Sequence, residues 1–202
     1  MKRFFLLIFS VFLIAGGCLP RRSVPARYYI LEYPAGLEVT IDPEEGPVRQ
    51  SCLVNTVDIH PAYSTNQIAI KEDSHEIRYF AFNQWAVRPE QSFTALVVDF
   101  LNDYNIFQSV YSRPTLLIEP DYILETTIQH LVLTEEDNNH LARLSINYRL
   151  RDNKNDEVVL NHKVDRKQVI EAKNLNLFAA AISTIFIEEL EEFTKSILAE
   201  LR

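Results

Sequence analysis

The sequence predicts a mixed α/β (α+β) domain, and three observations carry that expectation. Runs rich in Val, Ile, Tyr and Phe recur between polar and proline punctuation, the pattern of strands joined by turns. Residues 141–150 alternate cleanly, with Ala142, Leu144, Ile146, Tyr148 and Leu150 on one side and Arg143, Ser145, Asn147 and Arg149 opposite. Two other stretches repeat apolar residues every three or four positions, one after Pro89 and one closing the chain, as helices with one buried face do.

The 202 residues suffice for one domain with a sizeable core, and 47% apolar against 24% charged is ordinary for a globular chain. A net charge of −8 argues against a nucleic-acid partner, because phosphate binding asks for a basic face.

Before the domain comes a leader, residues 1–17. Lys2 and Arg3 start it, and residues 4–15 are apolar except for Ser10. Twelve residues are too few to cross a hydrocarbon core as a helix, which takes ~20, but they suit the apolar region of an export signal. The small residues Ala15, Gly16 and Gly17 then precede Cys18. This arrangement resembles the bacterial lipoprotein signal, although Ala15 stands where leucine is usual. The resemblance implies diacylglycerol on the Cys18 thiol, cleavage before it, and acylation of the new amino terminus, with palmitate as the expected fatty acid. The alternative is an ordinary secretory signal with a chance cysteine at the cut. Two or more acyl chains anchor a protein stably where one does so only marginally.

Residues 18–27 read as the acylated cysteine and a flexible, proline-containing tether, whose nine residues after Cys18 reach about 30 Å when extended. Arg21, Arg22 and Arg27 lie in it, and no acidic residue precedes Glu32. From residue 28 on, 15 basic residues face 28 acidic ones. The tether should be drawn to anionic headgroups while the domain stands off the lipid. Leu19 follows the cysteine; by resemblance to enterobacterial lipoproteins, the lack of aspartate there favours the inner leaflet of an outer membrane over the inner membrane.

Residues 28–202 form the expected single domain. Residues 28–33 read as a first strand, 34–50 as a loop rich in Pro and Gly, and 51–59 as a second strand stopped by His60-Pro61. Cys52, alone once Cys18 is acylated, reads as a small buried apolar residue. Residues 67–107 read as one packing unit. Ile68 and Ile70 open a strand, the polar block Lys71–His75 turns the chain, and Glu76 through Ala86 return it. Pro89 then begins a helix with Phe93, Leu96, Val97, Phe100, Leu101 and Tyr104 on one stripe. Residues 107–111 make a short strand. Residues 121–134 make a long one, with Tyr122, Leu124, Thr126, Ile128, His130 and Val132 expected on one side. Polar turns then lead into 141–150 and 158–169. The last helix, Leu175–Leu201, is apolar on nearly every side in its first half, LFAAAISTIFI, so that half should be the more deeply buried, sandwiched between sheet and loops, with a greasy groove or a partner-binding face as the alternative. Glu188, Glu189, Glu191 and Glu192 read as a solvated face.

Catalytic signatures are lacking. His60, His75, His130, His140 and His162 are scattered, and His75-Glu76 has Tyr79 where a zinc protease would place its second histidine. No nucleophile elbow or phosphate loop occurs. The expectation is a non-enzyme with no cofactor and no metal.

The leader, then YYILEY, SCLVNTVDIHPAY, QIAI, HEIRYFAFNQWAVRP, the amphipathic helix and FQSV together resemble the ABC-type transport auxiliary lipoprotein family. Val87-Arg88 before Pro89 departs from the more proline-rich or acidic join of that family. The resemblance implies a largely antiparallel sheet with two helices packed on one face. It also implies an anchored accessory that helps move lipid between membranes, with an MCE-domain protein and an ABC permease and ATPase as partners. Tyr79, Phe80, Phe82 and Trp85 are then candidates for the partner contact, with core packing as the alternative for them. Direct lipid carriage in a groove between sheet and helices, and an envelope role unrelated to transport, stay open. So does association with a second copy of the chain.

Overall fold

The computed structural model describes residues 24–42, 46–72, 75–113 and 119–202. The leader, Cys18 and most of the tether lie outside these residues. Among the described residues nine strands and two helices follow in order: β1 (Arg27–Tyr29), β2 (Val48–Val54), β3 (Asp58–Ile59), β4 (Gln67–Lys71), β5 (Arg78–Trp85), α1 (Pro89–Asp103), β6 (Phe107–Tyr111), β7 (Tyr122–Glu136), β8 (Asn139–Asp152), β9 (Glu157–Ile170) and α2 (Leu175–Leu201).

The sheet is organised on β7. One edge pairs antiparallel with β8 along its whole length, and β8 pairs likewise with β9. The other edge is shared by three short strands, each parallel to β7: β2 at Tyr122–Leu124 level, β3 beside Thr127 and Ile128, and β4 beside Leu133 and Thr134. β5 adds antiparallel to β4, and β1 and β6 add parallel to β5 and β2. The sheet is mostly antiparallel because its long ladders are so. Asp137 and Asn138, both at positive φ, make the two-residue turn between β7 and β8, a conformation these short polar residues tolerate and one whose twist suits a hairpin.

Both helices pack on the face that carries Ala142, Leu144, Ile146, Tyr148 and Leu150, all buried. Pro89 starts α1, where its missing N–H is no loss, and the Asn174 side chain accepts the Asn176 N–H to cap α2 at 2.9 Å. The helices meet through Phe93 and Phe186, while the Tyr148 hydroxyl donates to the Phe186 carbonyl at 3.1 Å. Tyr148 also stacks on Phe193, centroids 5.4 Å apart. On the opposite face, Arg143 pairs with Asp165 at 2.6 Å and Arg151 with Glu125 at 3.2 Å, the wet side expected of such strands.

Several expectations need correction. The first strand ends at Tyr29, and the chain beyond it leaves the sheet to cross α2. The second is two strands, broken because the Val57 N–H turns to the Thr94 hydroxyl of α1 at 2.9 Å instead of joining a ladder. In β7 an extra residue between Ile128 and His130 shifts the register against β8. One added residue exchanges the two faces of a strand, so His130 and Val132 do not continue the side of Leu124, Thr126 and Ile128; Leu131 and Leu133 do. The first half of α2 is the more deeply buried, as expected, with Phe178, Ala179, Ala181, Ile182, Ser183, Ile185, Phe186 and Ile187 all inside and Leu177 and Ala180 on its outer side. The acidic middle, however, is not simply a solvated face: Glu189 and Glu191 are both 7% exposed.

Candidate functional site

β5 carries the four aromatic residues singled out as a partner contact, and its pairing separates them. Between the pairs Gln67↔Gln84 and Ala69↔Tyr79, two steps along β4 correspond to five along β5. Three excess residues therefore bulge from the ladder, and such a bulge re-aims its side chains. Phe82 is 48% exposed there and Tyr79 is 41% exposed, its hydroxyl donating to the Ala62 carbonyl at 2.9 Å. Phe80 is half-buried against the core. Trp85 is buried, its ring 5.9 Å from Phe178 of α2. The strand thus splits into a rigid base, Phe80 and Trp85, and an outward pair, Tyr79 and Phe82.

Next to β5 runs a second feature. Beyond β1, residues 30–42 form a strap over α2. Leu31 and Ile41 are buried in the core, the Glu32 N–H donates to Ser183 Oγ at 3.3 Å, and the Tyr33 and Tyr104 hydroxyls lie 3.1 Å apart. At its far end the Thr40 N–H and hydroxyl both donate to Glu191 Oε1, at 2.9 and 2.6 Å. Burial pushes the Glu191 carboxyl up, but Thr40 and Lys195 together pull it below the ordinary value. Sheet below and strap above make the sandwich expected for this helix. Where the strap stands off the helix, a groove of about 660 Å³ opens between Tyr28, Ile30 and Tyr33 on one side and Ala179, Ala180 and Ser183 on the other. Small residues on α2 keep its floor low. The sequence allowed a groove on this half of α2 but not its second wall, because nothing in YYILEY says that the chain leaves the sheet after Tyr29.

The histidines occupy separate local settings. His60 Nδ1 accepts the Ala62 N–H, and His130 lies 3.5 Å from the Tyr63 hydroxyl, with burial and then Arg143 holding it below the ordinary imidazole value. His162 Nε2 is 2.8 Å from Glu189, which also accepts from Arg166 at 2.6 Å and so ties β9 to α2. Among the described residues no group of three or more His, Cys, Asp or Glu is placed to hold a metal ion. None of the described helices is long and apolar enough to cross a membrane. Cys52 is a free, fully buried thiol, as its sequence context predicts. The two surfaces are thus exposed aromatics on β5 and a shallow amphipathic groove between the chain that follows β1 and the first half of α2.

Comparison with known proteins places these features. Residues 29–192 match the family described as the ABC-type transport auxiliary lipoprotein component. The crystal structure of a Xanthomonas campestris protein of the DUF330 family superposes with a TM-score of 0.74 at 17% identity, covering 87% of this chain and 96% of that one. A second crystal structure, of an uncharacterized protein, superposes with a TM-score of 0.67 at 12% identity, covering 86% of this chain and 99% of that one. At these identities the likeness is one of fold. No curated protein matches the chain.

Proposed function

Because the chain belongs to the ABC-type transport auxiliary lipoprotein component family, we propose that it is the membrane-anchored, non-catalytic accessory of an ABC-type system that moves lipid between the two membranes of a bacterial envelope. In this reading Cys18 is acylated and fixes the protein to the periplasmic face of the outer membrane. The folded body docks a periplasmic MCE-domain assembly, whose permease and ATPase lie at the inner membrane. Tyr79 and Phe82 make the contact, and Phe80 and Trp85 hold the strand that presents them. The observation that carries the docking role is the β5 bulge, which follows the paired residue Tyr79 and brings Phe82 outward beside it, on a strand whose other aromatics pack against the core. Aromatic residues on rigid elements lose little entropy on binding and are enriched among the residues that dominate interfaces.

The test is recovery of partners from envelopes. Affinity capture of the acylated protein should bring down an MCE protein or its permease, and the double substitution Tyr79→Ala with Phe82→Ala should lower that recovery at least about tenfold, the loss expected for two interface anchors. Failure of the wild-type protein to recover either partner contradicts the docking role.

The groove beside α2 favours a second reading, direct carriage of a lipid. Gentle extraction followed by lipid mass spectrometry separates the two. A docking piece carries no stoichiometric lipid beyond its own anchor, whereas a carrier does.

A further inference from the structure

We infer that the end of the domain at which the tether enters is a membrane-seating rim, in which Tyr28, Ile30 and Leu177 enter the headgroup region of the anionic bilayer that holds the anchor. The inference rests on the reading of the chain as a lipid-anchored protein, and it reverses the simple expectation from net charge that the whole domain stands off the lipid.

The first support is the distribution of exposed apolar surface. Large apolar residues left in solvent include Val24, Tyr28, Ile30 and Tyr33, all within ten residues of one another at the start of the domain, and Leu177 in the first turn of α2. The groove joins these two short stretches, since Tyr28 and Ile30 line it opposite Asn176 and Ala180, and Leu177 follows Asn176 and lies one turn before Ala180 on the same helix. Val87 continues the patch: the neighbouring Ala86 N–H donates to the Tyr29 carbonyl at 2.7 Å, and Val87 is 47% exposed. Scattered exposed hydrophobes need no explanation, but a contiguous patch marks an interaction surface. Tyrosine, with an apolar ring and a polar tip, is suited to the headgroup level.

The occupant follows from where the chain goes and what charge it brings. Tyr28 is ten residues from Cys18, so this rim cannot leave the anchoring membrane by more than about 35 Å. Arg21, Arg22 and Arg27 lie in that interval with no acidic residue before Glu32. Basic residues next to an anionic leaflet attract it, and the attraction decays over a Debye length of about 8 Å. The dense acids of α2 begin at Glu188, eleven residues beyond Leu177 and therefore ~16 Å along the helix, outside that length. Around the rim the charges are largely paired: Lys173, four residues before Leu177, meets Glu72 and Glu135, and Arg88 beside Val87 meets Glu90, while Glu32 and Glu171 flank the rim in sequence. The chain between Cys18 and Tyr28 carries three arginines and no acid, so the attraction to an anionic leaflet is concentrated where the chain joins the rim.

The experiment places a reporter on the rim. Wild type has one tryptophan, Trp85, which is buried and serves as the background. Leu177→Trp and Tyr28→Trp report from the rim. Val158→Trp reports from the start of β9, paired with Arg151 at the end of the sheet where Tyr122 feels Glu200 of the α2 C-terminus, a helix length of ~40 Å away. Each is made in the full acylated chain and again with Cys18→Ser, and mixed with phosphatidylethanolamine–phosphatidylglycerol vesicles carrying brominated acyl chains. The added emission of Leu177→Trp and Tyr28→Trp should fall by about twofold, as for rings at the headgroup–acyl boundary, and that of Val158→Trp should not change. The Cys18→Ser forms should show the same contrast at higher vesicle concentration, and lose it at high salt. Absence of rim quenching in both forms overturns the proposal and makes the patch a protein-binding surface. If wild type and Cys18→Ser instead share one lipid dependence, the anchor reading has failed, and the quenching contrast still decides the rim.

Discussion

The rings of Phe93 in α1 and Phe186 in α2 lie 4.6 Å apart, centroid to centroid, and both are fully buried. They are the direct contact through which two helices on one sheet become a single layer. Truncating either ring leaves a cavity in a site that sheet and strap prevent from collapsing. Phe186→Ala and Phe93→Ala should each cost about 3–5 kcal/mol, and the double variant should reveal a coupling of roughly 0.5–1.5 kcal/mol. Urea unfolding followed by far-UV circular dichroism reads both. Additive losses argue that the helices are held only through the sheet.

Glu189 is the second tie. Its carboxylate is nearly out of solvent yet meets His162 and Arg166 of β9. Both partners are about a third or more exposed, so the ion pair is screened. Glu189→Ala should cost about 1.5–3 kcal/mol, the range for hydrogen bonds to a charged group. Glu192→Ala, on an exposed neighbour, should change stability by less than about 0.5 kcal/mol. Equal effects contradict the division of the acidic run into buried and solvated members.

That division shows why only part of the molecule was legible from the sequence. Helical spacing announced α1 and α2, and strict alternation announced β8, because a buried face imposes its own period on the chain. Where a face changes mid-element the period gives no warning. The extra residue before His130 swaps the sides of β7, and the four glutamates that flank Leu190 in α2 conceal two inward carboxylates whose partners, Thr40 and Arg166, are remote in sequence. The candidate contact was found only as a group. Tyr79 and Trp85, six residues apart, would share a face of a regular strand, yet Tyr79 is at the surface and Trp85 in the core because of a bulge on β5, which depends on β4 and leaves no mark in the letters RYFAFNQW.

Asp121 links stability to pH. The Ser51 N–H and hydroxyl both donate to its Oδ2, at 2.8 and 2.7 Å, and hold its carboxyl below the ordinary value. A depressed folded value means that the contribution is present above the unfolded value, about 3.9, and is lost as pH falls through the lower folded one. Ser51→Ala should therefore cost a few tenths to ~1 kcal/mol near neutrality, the scale of an exposed charged contact, and progressively less below about pH 4. Urea midpoints at a series of pH values test the sign; a cost that grows on acidification contradicts it.

Cys52 should be chemically silent. Burial pushes its thiol up to about 12, so almost none is thiolate at pH 8, and its sulfur is out of reach of reagents. Native protein should react with thiol reagents at Cys52 only on the timescale of unfolding, and within seconds in denaturant. Rapid native labelling that peptide mapping assigns to Cys52 contradicts the packing of β2.

Acylation is where the functional account is most open to a single measurement. Cells expressing wild type or Cys18→Ser are fed labelled palmitate, and envelopes are separated from the soluble periplasm. The account predicts label on the wild-type protein and its recovery with the outer membrane, with Cys18→Ser unlabelled and soluble. Wild type found unlabelled in the soluble fraction contradicts it.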